Sequence, residues 1–182
     1  NGSLMRILPI AYYLHARYGD DLAGHPESFD IIHRVSALTH AHKRSLIACG
    51  IYICIAASLL SGADLKSAIA AGIRQAWNYY ENRLGFREDL AHYQSLVQDD
   101  FADTPEFAIK SDGYVVHTLE AAIWCLVNTD NYRDCVLKAV NLGEDTDTVA
   151  AVAGGLAGLA YGHQTIPQEW LDQLAGDFLS YL

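Results

Sequence analysis

Glu144, Asp145, Asp147 and Thr148 place three carboxylates and a hydroxyl at the head of a run, Val149 to Tyr161, whose residues are nearly all small and apolar. Such oxygens are hard ligands, suited to Mg²⁺, Mn²⁺ or Ca²⁺ and not to thiolate chemistry. A helix as apolar as 149–161 is expected to lie inside the protein, which would hold the acids of its first turn close to the core. The positive end of a helix dipole, about half a charge, is too little for three acids. No Lys or Arg follows Lys138, so the balancing cation must come from elsewhere in the fold or be a metal ion. The metal is the preferred reading. An EF-hand is excluded, because the acids do not continue at alternate positions to a twelfth-residue Glu. Taken by spacing alone, the turn reads equally well as an Asp or Thr N-cap with acids favoured by the dipole.

Other signals are weaker. Asn1-Gly2-Ser3 opens an apolar-periodic run; Gly2 and Ser3 can present N–H groups and a hydroxyl to a diphosphate, with Arg6 adding charge. The same residues also make an ordinary turn and cap beside a surface arginine. His40 and His42 stand two apart at a break between helices, too close to share one helix face. His15, His33, His92 and His163 are expected at the surface or at helix C-termini, and His117 has no evident role. Tyr114, after Gly113, is either a contact to a sugar or base or one more packing aromatic in a chain with 11 Tyr.

The elements that position these residues read as helices throughout. Apolar spacing gives a first helix from Leu4 that Gly19 stops, then helices from Pro26 to about Leu38, Lys43 to Leu60, Asp64 to Leu84, Arg87 to about Gln98, Tyr114 to Asn128, Tyr132 to Val140, the run behind Gly143, and Pro167 to Tyr181. Asp99 to Gly113 lacks periodicity and is expected to be a long surface loop. The prediction is all-α, with eight or nine helices in a single domain spanning 1–182. A formal charge of -10 without any Lys/Arg run argues against a nucleic-acid partner. Leu46 to Leu60, the longest apolar stretch, is too short for a bilayer and reads as a core helix, so no membrane is expected. The 4 cysteines lack CxxC spacing and read as core thiols in a reducing cytoplasm. The chain opens at Asn1 without an initiator Met or signal peptide, as a piece of something longer would.

Taken together, four stretches resemble the ADP-ribosylglycohydrolases, the family that includes dinitrogenase-reductase-activating glycohydrolase. Asn141 to Ala151 is similar to the family's C-terminal metal motif and Asn1-Gly2-Ser3-Leu4-Met5-Arg6 to its phosphate-binding loop. Leu38-Thr39-His40 and Gly113 to Ala122 match in the same order. The resemblance implies a compact orthogonal multi-helix fold and a pair of Mg²⁺ or Mn²⁺ ions held in part by Asp145, Asp147 and Thr148. It implies substrate contacts from Gly2, Ser3, Met5, Arg6, His40, Gly113 and Tyr114. It also implies an N-terminal part, with an acidic residue, a Thr-Asp-Asp motif and the general base, that this chain lacks; a preceding segment or a second polypeptide would supply it.

The implied activity is metal-dependent hydrolysis of the glycosidic bond between ADP-ribose and a protein side chain or small acceptor, with this chain alone incomplete for catalysis. A non-catalytic relative that binds ADP-ribose or serves only as scaffold is the alternative, and a ligand-free helical interaction module is a third.

Overall fold

In the computed structural model, which describes residues 1–173, the chain forms ten α-helical segments, four short 3₁₀ turns and, among the described residues, no strand. The helices are α1 Gly2–Arg6, α2 Pro9–Tyr18, α3 Pro26–Ala37, α4 Lys43–Leu60, α5 Leu65–Glu81, α6 Arg87–Leu90, α7 Val115–Val127, α8 Tyr132–Asn141, α9 Thr146–Tyr161 and α10 Gln168–Leu171. The expected first helix is two. Pro9 has no N–H to donate and takes the first position of α2, so the chain breaks before it. Of the expected helix from Arg87, only the first turn is α and Ala91–Val97 tightens to 3₁₀. The closing helix is described only as Gln168–Leu171, and its continuation to Tyr181 lies outside the described residues.

Everything is arranged around α4. Its 18 residues have a mean hydropathy of 1.6, apolar and long enough to cross a membrane, but 78% of them are buried against other helices. It packs on α1, α2, α3, α5, α7 and α9, which is why it carries hydrophobic residues all round. The Arg44 N–H donates to the His42 ring at its start (3.2 Å), and Ser61-Gly62 ends it. Asp64 then caps α5 through the Ser67 N–H at 3.0 Å. Gly72 of α5 faces the backbone of Ile55 of α4, where any Cβ would overlap it. All four cysteines are buried free thiols, as expected of core residues.

His33 departs from expectation. It is half-buried in an aromatic cluster, stacked on Phe86 (centroids 5.4 Å apart) and Tyr80 (5.7 Å). The Tyr80 hydroxyl donates to the Leu46 carbonyl at 2.9 Å, so it accepts from His33 Nε2 at 2.9 Å and fixes the neutral tautomer. Burial holds the imidazole down at about 4, against a raising influence from Asp30.

Between that value and the ordinary 6.5, the unfolded chain takes up a proton that the folded chain refuses. Stability from this group is therefore complete above pH 6.5 and falls as pH drops toward 4, by on the order of 2 kcal/mol after allowing for solvent screening. Urea midpoints at pH 4.5 and 7.5 should differ less in His33→Leu than in the wild type; identical differences would contradict this.

Candidate functional site

Asp145 joins stretches far apart in sequence. Its Oδ2 accepts from Asn1 Nδ2 at 2.8 Å and its Oδ1 from the Thr148 hydroxyl at 2.8 Å. Its N–H donates to the Ser111 carbonyl at 3.1 Å, and a Cβ at Gly113 would come within 3.0 Å of its Oδ2. The turn that delivers it is left-handed twice over, with φ of 86° at Gly143 and 55° at Glu144. A non-glycine residue in that region costs about 1 kcal/mol. Buried Ser111 holds the turn, its hydroxyl donating to the Gly143 carbonyl at 3.1 Å.

The acids are less buried than their helix suggested. Glu144 and Asp147 are exposed and Asp145 is half-buried, while Thr148 is buried. The cause is which face of α9 enters the core. Thr148, Val149, Val152, Ala153, Leu156 and Ala157 form the buried stripe, whereas Asp147 shares its face with exposed Ala151. Among the described residues no Lys, Arg or His lies within ion-pair distance of Glu144, Asp145 or Asp147.

The donors at the turn, two carboxylates and a hydroxyl, are of the kind that Mg²⁺ or Mn²⁺ takes. They fall short in number: among the described residues no three His, Cys, Asp or Glu gather closely enough to hold an ion. A divalent ion here would be completed by water, substrate or other donors.

The expected phosphate loop is organised differently from the sequence reading. Ser3 is fully buried, and its hydroxyl accepts from the Cys49 thiol at 3.6 Å, so it is turned away from any ligand. Arg6 Nη2 donates to the Val35 carbonyl (3.0 Å) and to Thr39 Oγ1 (2.7 Å), fastening α1 to the end of α3. Met5 is exposed. Thr39 Oγ1 also meets His40 Nδ1 at 2.8 Å, and a Cβ at Gly2 would lie 3.1 Å from His40 Cε1. Gly2, Arg6 and His40 thus form one contiguous patch. Burial, then the positive charges of the Asn1 amino group and of Arg6, holds the His40 imidazole below its ordinary range.

Gly113 and Tyr114 line a cleft of 270 Å³ with Asn1, His42 and Arg44, room for part of a nucleotide-sized ligand. A larger groove of 640 Å³ between α2 and α3, lined by Tyr13, Ile31, Val35 and Leu38, shares none of these residues. Arg44 Nη1 donates to the Tyr114 hydroxyl at 2.9 Å and its Nε to Asp89 at 3.0 Å. Asp112 Oδ1 accepts from the Tyr114 N–H at 3.1 Å and meets His117 Nδ1 at 2.8 Å. The pairing with His117 holds the Asp112 carboxyl below the usual range. Sequence reading missed Asn1, Ser111, Arg44 and Asp112. Asn1 alone was signalled, as the first residue of the loop motif.

An orthogonal all-α fold with such a turn and loop defines a class. The ADP-ribosylglycohydrolase family profile matches residues 1–181, and the chain belongs to that family. Among its relatives, ADP-ribosylarginine hydrolase Tri1 of Pseudomonas putida (strain GB-1) is 31% identical over 179 residues, covering 96% of this chain and 42% of that protein. ADP-ribosyl-[dinitrogen reductase] glycohydrolase of Rhodospirillum rubrum is 29% identical, covering 96% of this chain and 50% of its own length. A solved ADP-ribosylglycohydrolase-related protein complex superposes with a TM-score of 0.65 at 29% identity, over 84% of this chain and 50% of that one. The chain spans about half the length of these relatives.

Proposed function

We propose that this protein hydrolyses the glycosidic bond between ADP-ribose and an acceptor, with arginine the first acceptor to test, and that it uses Mg²⁺ or Mn²⁺. The observation that carries the reading is the position of Asp145. Among the described residues this carboxylate is held by neutral donors alone, and it joins the Asn1 loop, Gly113 beside the cleft, and the acidic turn. Family membership and the names of the relatives support the reaction class.

Asp145, Asp147 and Thr148 would hold the ion. Bound there, divalent ions orient sugar hydroxyls, acidify a water and offset developing negative charge. The remaining roles fall to the protein. Tyr114 offers a ring to the base and Gly113 leaves space beside Asp145, while Gly2, next to Asn1 of the cleft wall, stands against His40. Asn1 and Thr148 hold the Asp145 carboxylate in a single orientation by occupying one oxygen each. No general base is assigned among these residues. The 4 buried thiols suit a cytoplasmic location, which belongs to the same proposal.

The test is release of ADP-ribose from ADP-ribosylarginine by the protein as encoded, with Mn²⁺, with Mg²⁺ and with chelator. Release with metal and none with chelator is the expected result. Intact arginine, serine and small-molecule conjugates in the presence of metal would overturn the hydrolase reading; ADP-ribose binding without turnover would then mark a non-catalytic relative.

A further inference from the structure

We infer that Arg44 is a positioning residue for nucleotide recognition, acting through Tyr114 and not by touching the ligand. The inference rests on the reading that ADP-ribose binds in the cleft beside Gly113. Tyr114 is half-buried, and a phenol ring at a cleft mouth ordinarily loses orientational freedom when a base stacks on it. Here that freedom is already removed. Arg44 Nη1 donates to the phenolic oxygen at 2.9 Å. Asp89 of α6 grips Arg44 Nε at 3.0 Å, and Tyr93 donates to the Arg44 carbonyl at 2.7 Å. Asp89 thus holds the guanidinium, and Tyr93 the backbone that carries it, before the guanidinium fixes the tyrosine.

The other end of Tyr114 is held independently. Asp112 accepts its N–H at 3.1 Å, and His117, bound to the same carboxylate oxygen, sets its ring edge-on to Tyr114 with centroids 4.9 Å apart. With backbone, edge and hydroxyl all secured, the ring presents a fixed face, and ordering of a platform that stacks a base is spent in folding and not in binding.

A second reading of Arg44, as a direct phosphate ligand, makes a different prediction, because a guanidinium that meets a phosphate itself weakens binding whatever occupies position 114. In the structure its fork is directed to Asp89 and Tyr114, both within 3.0 Å.

The experiment is a double-mutant cycle read by calorimetry, with ADP-ribose and with ribose 5-phosphate, which lacks the base. Arg44→Met should weaken ADP-ribose roughly 10-fold and Tyr114→Leu roughly 30-fold, within the range for loss of one base–aromatic stack. The double variant should bind no more weakly than Tyr114→Leu alone, since the two act as one unit. Tyr114→Phe, which keeps the ring and removes the arginine's acceptor, should behave like Arg44→Met. Ribose 5-phosphate should bind all of them equally.

Losses that multiply in the double variant, or a loss of ribose 5-phosphate binding in Arg44→Met, would overturn the inference while leaving ADP-ribose as ligand. No ADP-ribose binding by the wild type would overturn both. If Arg44→Met does not fold, Tyr114→Phe and Asp89→Asn carry the same cycle.

Discussion

Replacing Asp145 by alanine is expected to abolish ADP-ribose release, by roughly two orders of magnitude or more, the scale of losing a ligand to an activating metal ion. The substitution removes a charge, and it also leaves the donors of Asn1 and Thr148 without their acceptors. Asp145→Asn separates the two effects. It keeps the size of the side chain and an oxygen for Thr148, so the fold should be retained while the hard anionic ligand is lost. Both variants should lose kcat by a similar factor, with thermal unfolding close to wild type in Asp145→Asn. If Asp145→Asn keeps near-normal turnover, the carboxylate only props the turn and the metal reading fails.

The largest effect on stability is expected at Gly72. A methyl group there would overlap the backbone nitrogen and Cα of Ile55, and backbone in the middle of the central helix has no rotamer through which to retreat. Gly72→Ala forces α4 and α5 apart, at about 3 kcal/mol or more, toward the upper end for overpacking. For a chain of this size that corresponds to a fall in Tm of roughly 6–12 °C. Gly158, on α9, is the control, because among the described residues a Cβ there meets only Tyr132 Cε2 at 3.9 Å, an ordinary contact. Gly158→Ala should be neutral or stabilise by roughly 0.5–1 kcal/mol through helix propensity. Equal losses at both positions would show that the close approach of α4 and α5 is not what glycine serves.

These two sites show what was legible before any coordinates. α4 and α5 could be delimited because the apolar periodicity is interrupted at His40 to His42 and again between Leu60 and Asp64. The acidic turn could be found because its donors are consecutive. Features that depend on the third dimension could not. Nothing local says that Asn1 reaches Asp145 across 144 positions, or that Arg44 reaches Tyr114 across 70. Ser111 sits in an aperiodic stretch that composition marks only as loop, yet it fastens the Gly143 turn.

Two features of the structure differ from the sequence reading, each for a physical reason. A nearly all-apolar run implied burial of its whole first turn, but a helix buries a stripe, and Asp147 falls beside it. Ser3 and Arg6 carry groups that suit a phosphate, and in the structure both have packing partners: Ser3 is turned into the core toward Cys49, and Arg6 reaches the carboxyl end of α3.

The most direct test of the central claim, that the turn at 143–148 is a divalent-metal site, is calorimetric titration of Mn²⁺ into the wild type, Asp145→Asn and Asp147→Asn. The account predicts binding by the wild type and a loss of at least about 10-fold in each variant with the fold intact. Equal affinity in all three, or no binding by the wild type, would contradict it.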